Sequence, residues 1–226
     1  MAAVVSGMSI SISLIGLPGS GKSTVGRQLA RRLQVPFADS DQVIEMRLGC
    51  SIRAYFEREG EARFRDIESD VIDELTQQPG GVLSTGGGVV LREANRLHLR
   101  QRTQVVYLNS APEVLFRRLR HDKSRPLLQV ADPLGRLRDL HAQRDPLYRE
   151  TARFNIDTGR PSVASLVNLI MCELEKAGAF ADCQRQGLDD PRATINGTQS
   201  AVRWTGIVDG APDLSTNPAH MHGFGQ

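Results

Sequence analysis

The 226-residue chain has few cysteines, only three lysines and no long apolar run, and these shortages exclude several classes of protein. Its three cysteines, Cys50, Cys172 and Cys183, have neither the even number of a disulfide framework nor the CxxC spacing of a metal site. No apolar run approaches the roughly 18 residues that a membrane-spanning helix needs. We therefore expect a protein of the reducing cytoplasm that does not cross a membrane.

Strong net charge is also lacking. The chain has 28 basic and 26 acidic residues, and the formal net charge of +2 is too small to indicate a dedicated nucleic-acid binder. Genomic base composition can by itself produce the excess of arginine over lysine. The first ten residues, MAAVVSGMSI, lack the basic flank and apolar region of a signal peptide. Small molecules are the expected partners, and a monomer is the expected state.

Short apolar runs alternate with segments of helical periodicity, which favours a parallel sheet covered by helices. Strands are expected at residues 10–15 and in VPFADSD, GVLSTGG, TQVVYLNS and FNIDT, with helices at residues 23–33, 42–49, 112–120, 134–153 and 162–177. Ser110 is the expected cap of the helix at residues 112–120. The stretch between residues 51 and 78 predicts one or two helices with a break near Gly60. The expected fold class is α/β, with five parallel strands.

The composition changes at residue 178. Residues 178–226 are rich in Gly, Pro, Asp, Asn, Ser and Thr and have no apolar period, which predicts a disordered or loosely attached tail. Trp204, His220 and His222 are its chemically notable residues, and two histidines alone are a poor indication of a metal site. The folded domain is expected to span residues 9–177.

The stretch GLPGSGKS, residues 16–23, fits the phosphate-loop pattern G-x-x-x-x-G-K-[ST] between an expected strand and an expected helix. Its glycines allow successive backbone N–H groups to converge on a triphosphate, and the following helix presents its unpaired amides. Lys22 is placed to contact the β- and γ-phosphates, and the Ser23 hydroxyl to coordinate Mg²⁺. A glycine-rich turn that matches the pattern by chance is the alternative.

Further elements contain candidate groups for a second substrate, and each has a plain structural alternative. Asp39 and Asp41 lie two apart at a strand end, so they are expected to point the same way, one toward Mg²⁺ and one toward a reacting hydroxyl; ordinary turn aspartates are the alternative. Arg65 and Glu68 are one helical turn apart, which is usually a solvated ion pair. The three glycines at 86–88 leave amides free for a ligand or form a simple flexible loop.

Two more stretches, HDKSRPLL and RDPLYRE, are weak signals when taken singly; the second contains Arg144 and Arg149. Together the six elements resemble the shikimate kinase family: GLPGSGKSTVGRQLA, FADSDQVIE, GEARFRDIESDV, LSTGGGVV, SRPLL and RDPLYRE are similar, in this order, to its successive motifs. The resemblance covers residues 9–177. It implies a P-loop NTPase fold of the nucleoside-monophosphate-kinase type, with a central five-stranded parallel sheet and a mobile lid at about residues 119–132.

The implied reaction is transfer of the γ-phosphoryl group of ATP to the 3-hydroxyl of shikimate, in aromatic amino-acid biosynthesis. Asp41, Lys22 and Arg125 are the implied catalytic residues. The residues implied to bind ATP and Mg²⁺ are Gly19, Ser20, Gly21, Lys22, Ser23, Thr24, Asp39 (through the water shell of the metal), Arg118, the lid arginine Arg125 and Arg160. The residues implied to bind shikimate are Asp41 at its hydroxyls, Arg65 and Arg149 at its carboxylate, and the backbone of Gly86, Gly87 and Gly88.

Two rival classes remain at this point. Gluconate kinase and the nucleotide kinases share the phosphate loop, but they are not expected to contain the DSD, GGG and RPLL elements together. A shikimate-kinase-like regulator that uses the pocket as a sensor is expected to carry a DNA-binding helix-turn-helix segment, and we expect none before Ser9.

Overall fold

Five strands form a single sheet in the computed structural model, which describes residues 10–120, 130–159 and 161–180. The strands are β1 (Ser11–Ile15), β2 (Phe37–Asp39), β3 (Gly81–Ser84), β4 (Gln104–Asn109) and β5 (Phe154–Asp157). All neighbours pair in parallel, in the order β2-β3-β1-β4-β5. The five parallel strands expected from the sequence are therefore confirmed.

Helices connect the strands. In the described part of the chain they are α1 (Lys22–Leu33), α2 (Ser40–Leu48), α3 (Ile52–Gln77), α4 (Glu93–Arg102), α5 (Pro112–Leu119), α6 (Pro133–Thr151) and α7 (Val163–Lys176). A short 3₁₀ turn, Val89–Leu91, precedes α4. The sequence did not predict α4, because EANRLHLRQR has only two large apolar residues; Leu99 is buried and Leu97 is 45% exposed.

Two local expectations have different outcomes. Gly60 interrupts α3 with φ 82° and ψ 171°, as predicted, because this backbone conformation is easily reached only by glycine. The prediction that Ser110 caps α5 is wrong. The residue at the cap position is Ala111, followed by Pro112, and the Ser110 hydroxyl instead bonds to the Thr158 hydroxyl beyond β5.

The sheet separates two apolar layers. Because side chains alternate along a strand, Val105 and Tyr107 of β4 pack on one face while Val106 and Leu108 pack on the other. Helices α1 and α7 cover the second face, and α2 to α6 contribute to the first. Burial on both faces explains why β3 and β4 read as short, nearly continuous apolar runs.

The folded domain extends beyond its predicted end at residue 177. Ala179 is 5% exposed, its N–H donates to the Leu174 carbonyl, and Phe180 packs against the α7 layer. The first three residues of the predicted tail thus belong to the fold, and residues 181–226 lie outside the described residues. No helix in the described ranges is long and apolar enough to cross a membrane.

The parallel arrangement determines where chemistry can occur. Since every strand runs the same way, the segments that follow β1, β2, β3 and β5 all emerge at one edge. In open sheets of this kind, ligands bind outside the carboxyl ends of the strands. The phosphate loop, the DSD element and the three glycines therefore meet at this edge.

Candidate active site

The phosphate loop occupies residues 16–21, between β1 and α1. Gly19 (φ 81°) and Gly21 (φ 95°) have left-handed backbone conformations, and a β-carbon on Gly19 would lie 2.7 Å from the side chain of Leu119. Gly21 is the cap residue of α1, and it has no side chain to bond the first amides of the helix. The first turn of α1 contains no acidic residue. The loop and the helix start therefore present N–H groups to an anion, as the sequence motif predicts.

Lys22 is the first residue of α1 and is only 8% exposed. Its Nζ donates to the Gly16 carbonyl at 2.9 Å and to the Leu17 carbonyl at 3.0 Å. The ammonium group is thus held over the loop by loop carbonyls. A phosphate bound in the loop would exchange some of these neutral acceptors for charged oxygens, which make stronger hydrogen bonds.

Ser23 and Asp39 form the oxygen-rich part of the site. The Ser23 hydroxyl donates to Asp39 Oδ2 at 2.7 Å, and it lies 3.3 Å from the Ser84 hydroxyl at the end of β3. No group of three or more His, Cys, Asp or Glu residues that could hold a metal occurs among the described residues. Hydroxyl and carboxylate oxygens suit Mg²⁺, which takes few ligands from the protein and the rest from phosphates and water.

Asp41 reaches the site for a reason that the sequence argument missed. The expectation that Asp39 and Asp41 share one side of a strand is wrong, because β2 ends at Asp39 and Asp41 lies in the first turn of α2. Asp39 caps that turn: its Oδ1 accepts a hydrogen bond from the Asp41 N–H at 3.1 Å. A β-carbon on Gly86 would lie 2.6 Å from Asp41 Oδ1, so the carboxylate lies directly against the glycine turn.

The surroundings of Asp41 make its carboxylate easy to protonate. Burial, followed by the negative charges of Asp39 and Glu68, raises the pKa of Asp41 from 3.8 to about 7, although the positive charge of Lys22 acts in the opposite direction. A carboxylate with a pKa near neutrality can accept a proton in this pH range.

Arg65 and Glu68 form a buried ion pair. Arg65 Nη1 lies 2.7 Å from Glu68 Oε2, and the two side chains are 12% and 1% exposed. The alternative of a solvated pair is therefore wrong. Burial by itself lowers the pKa of Arg65, but the charges of Glu68 and Glu61 outweigh it and raise the pKa, so the guanidinium stays charged. The Arg65 guanidinium occupies the space that a β-carbon on Gly88 would need.

The two arginines of RDPLYRE differ in position. Arg144 is 8% exposed, and its Nη1 donates to the Gly87 carbonyl at 3.0 Å. Arg149 is 51% exposed, and its Nε donates to Asp145 Oδ2 at 2.7 Å; no contact places it at the glycine turn in the part of the chain that is described. The structure thus brings Arg144, and not the predicted Arg149, to the site. The signal that could have identified Arg144 in the sequence is the buried stripe of α6, which includes Arg144 and omits Arg149.

The glycine turn connects the two halves of the site. A β-carbon on Gly87 would lie 2.8 Å from the ring of Pro18 in the phosphate loop, while Gly86 lies against Asp41 and Gly88 against Arg65. The Gly86 N–H donates to the Ser40 hydroxyl at 3.1 Å. The N–H groups of Gly87 and Gly88 have no partner among the residues described, so they are available to a ligand.

The other predicted nucleotide residues are only partly placed. Arg118 lies at the same edge, with Nη2 donating to the Thr158 carbonyl at 2.5 Å. The Ser20 hydroxyl is buried in the loop and has no partner within the described ranges, whereas Thr24 is exposed. Arg125, Arg160 and most of the predicted lid, residues 119–132, lie outside the described residues.

Comparisons with known proteins agree with this geometry. The family model described as shikimate kinase matches residues 18–175. The chain is 62% identical over 175 residues to a shikimate kinase of Paracidovorax citrulli, covering 76% of this chain and 96% of that protein. It is 56% identical over 172 residues to a shikimate kinase of Ralstonia nicotianae, covering 76% and 90%. A solved shikimate kinase of Acinetobacter baumannii in complex with shikimate is 45% identical, with a TM-score of 0.72 and coverage of 74% and 94%.

Proposed function

The chain belongs to the shikimate kinase family and transfers the γ-phosphoryl group of ATP to the 3-hydroxyl of shikimate in aromatic biosynthesis; we propose that the edge described above is its active site. The glycine turn carries this proposal. It contacts the phosphate loop through Gly87 and the acceptor residues Asp41 and Arg65 through Gly86 and Gly88. A phosphate donor and an anionic polyol would thus meet across one turn.

On the nucleotide side, the loop amides and Lys22 hold the phosphates. The residues assigned here are Gly19, Ser20, Gly21, Lys22, Ser23 and Thr24, with Arg118 and Arg160 near the adenine and Arg125 at the transferring phosphate. Ser23 and, through water, Asp39 would hold Mg²⁺, and this ion would neutralise phosphate charge. Lys22 gives the same kind of support, because its ammonium group stabilises the negative charge that develops during transfer.

On the acceptor side, Asp41 orients the attacking hydroxyl and accepts its proton. Two observations support this role: the carboxylate lies against Gly86, and its pKa of about 7 suits a general base. The positive charge of Lys22 is close enough to oppose the rise in that pKa, so the base lies near the phosphate side of the site. Positioning of the hydroxyl supplies much of the rate enhancement in phosphoryl transfer.

Arg65 and Arg144 bind the shikimate carboxylate. This pair replaces the predicted pair of Arg65 and Arg149, because Arg149 is half exposed and engaged by Asp145. Planar guanidinium groups suit a carboxylate through paired hydrogen bonds. Arg65 also bonds to the exposed Glu61, and a substrate can displace this partner at low cost because solvent-exposed ion pairs contribute little.

The remaining predictions concern the setting of the enzyme. We propose a monomer that works in the cytoplasm on ATP and shikimate and binds neither nucleic acid nor membrane; the near-even charge supports this. The mobile lid at about residues 119–132 stays a prediction.

A coupled assay for ADP release tests the function, with shikimate, gluconate and a nucleoside monophosphate as alternative acceptors. We expect turnover with shikimate to exceed turnover with the other two by at least about 100-fold, because a site built for particular hydroxyls and a carboxylate rejects acceptors that mismatch them. The Lys22→Ala variant, purified in parallel, controls for contaminating kinases. Equal or faster turnover of another acceptor would refute the assignment.

A further inference from the structure

The Gly87 carbonyl receives two hydrogen bonds from one face of α6. The Tyr148 hydroxyl donates to it at 2.5 Å and Arg144 Nη1 at 3.0 Å. Tyr148 and Arg144 are four residues apart, so their side chains project from the same side of the helix. Of these two donors, only Arg144 has a role in the proposed function.

Tyr148 is held firmly in this position. The side chain is fully buried, and its ring stacks on Tyr107 with centroids 4.9 Å apart. Tyr107 is itself fixed by hydrogen bonds from its hydroxyl to Asp145 at 2.9 Å and Asn109 at 3.2 Å. Burial raises the pKa of the Tyr148 phenol above its usual value, so it remains a donor throughout the working pH range.

The hydrogen bond from Tyr148 to the Gly87 carbonyl controls the orientation of the Gly87–Gly88 peptide group. A trans peptide is planar, and its C=O and N–H point in opposite directions, so a carbonyl held toward α6 turns the Gly88 N–H away from α6. Gly88 lies beside the Arg65 guanidinium, and its N–H has no partner in the described ranges. Glycines leave this peptide free to rotate unless something outside the turn holds it.

The segment after the turn is anchored separately. Asn95 Nδ2 donates to the Val89 carbonyl at 3.0 Å, and Arg96 Nη1 donates to the Val90 carbonyl at 2.8 Å. These two bonds hold the 3₁₀ turn, and they do not reach the Gly87–Gly88 peptide. Restraint of that peptide by side chains therefore comes, among the described residues, from Arg144 and Tyr148.

We propose that Tyr148 is a positioning residue of the acceptor site, whose hydroxyl, through the Gly87 carbonyl, aims the Gly88 N–H at the anionic acceptor and fixes the direction of Arg144. The inference rests on the proposed function, since it assigns a role within the same site. Tyr148 touches neither substrate in this assignment and acts through the turn. Its ring belongs to the core, whereas the proposed role belongs to its hydroxyl.

The test is the Tyr148→Phe variant, which keeps the buried ring and the stacking and removes the hydroxyl. We expect the KM for shikimate to rise about three- to tenfold, the change that loss of one neutral hydrogen bond produces. The kcat should stay within about twofold and the KM for ATP should not change, because the reacting hydroxyl and the phosphate loop keep their contacts. An unchanged KM for shikimate would overturn the proposal, and so would an equal rise in both KM values.

Tyr107→Phe is the matched control. It removes a phenol hydroxyl from the other ring of the same stacked pair, which bonds to Asp145 and Asn109 and not to the turn. A merely structural contribution predicts similar effects in the two variants. The proposal predicts a change in the KM for shikimate with Tyr148→Phe alone, and equal changes would overturn it.

A second measurement needs no substrate. In protein labelled with ¹⁵N-glycine, the Gly88 amide resonance should shift in Tyr148→Phe and stay in place in Tyr107→Phe; the absence of a shift in Tyr148→Phe would overturn the proposal. This also separates the two hypotheses. If the wild type failed to phosphorylate shikimate, the proposed function would fall while the glycine resonances still reported on the role of Tyr148 in the turn.

Discussion

Replacing Asp41 with Asn should make the ligand-free protein more stable while it lowers turnover. The folded protein raises the pKa of this carboxyl from 3.8 to about 7, mainly by burial and then through the charges of Asp39 and Glu68. Between about pH 4 and pH 7 the Asp41 carboxyl therefore binds more protons in the folded state than in the unfolded state, and its contribution to the stability of the wild type falls as the pH rises. Asn has no charge to bury, so the variant escapes this loss.

The expected gain in stability of Asp41→Asn follows from the pKa shift of Asp41. About three pKa units at 1.36 kcal/mol each give at most about 4 kcal/mol above pH 7, and less than half of that at pH 5. For a domain of this size, 1 kcal/mol corresponds to about 2–4 °C, so the melting temperature should rise by up to about 8–16 °C at pH 8. Turnover should fall sharply, because an amide cannot accept the hydroxyl proton.

The measurement is thermal unfolding at pH 5 and pH 8, without nucleotide or Mg²⁺, since a bound cation would itself favour the ionised carboxylate. The control is Asp139→Asn, which replaces an exposed aspartate of α6. Its melting temperature should differ from that of the wild type by the same small amount at both pH values. The reasoning would be refuted if the gain of Asp41→Asn were independent of pH, or if the variant were less stable than the wild type at pH 8.

The remaining predictions concern charge, binding and the chain end. Lys22→Ala should abolish turnover in the coupled assay, because phosphate binding and transition-state stabilisation are lost together; activity within about tenfold of wild type would contradict the phosphate-loop assignment. By calorimetry, Arg65→Ala and Arg144→Ala should each weaken shikimate binding by about 1.5–3 kcal/mol and leave binding of an ATP analogue unchanged. Arg149→Ala should alter shikimate binding by less than about 0.5 kcal/mol, and a loss as large as that of Arg144→Ala would restore Arg149 to the site. Truncation after Phe180 should leave the melting temperature unchanged, whereas truncation after Ala177 should lower it by several degrees because Ala179 is buried; equal melting temperatures would show that residues 178–180 contribute nothing.

Local patterns predicted the parts of the fold in which one segment determines its own structure. The apolar strands, the break at Gly60 and the glycine-rich loop before α1 depend on neighbouring residues, and the structure has all of them. Helix α4 was missed because tertiary packing, not periodicity, stabilises it. It buries Leu99 and also Asn95, whose side chain bonds to the Val89 carbonyl.

The misassigned arginine shows where sequence reasoning reaches its limit. Arg144 and Arg149 are five residues apart and chemically identical, so only the rotation of α6 about its axis distinguishes them. That rotation is set by the buried residues Leu137, Leu140 and Tyr148, which lie in the same buried stripe of the helix as Arg144. The register of the helix could have been read from these apolar positions, but the resemblance of RDPLYRE to a motif did not supply it.

Cations and carboxylates of the site interact with one another, and Asp41 is the carboxylate that this balance affects most. Lys22, Arg65 and Arg144 oppose the carboxylates of Asp39, Asp41 and Glu68. Glu68 is paired with Arg65, and Asp39 is engaged by the Ser23 hydroxyl, so Asp41 is the carboxylate whose charge has the least compensation. Burial, together with the negative charges of Asp39 and Glu68, favours protonation more than the positive charge of Lys22 opposes it, and this is the physical origin of the raised pKa of Asp41. A site that fully neutralised Asp41 would be more stable, but its carboxylate would be a weaker base for the acceptor hydroxyl.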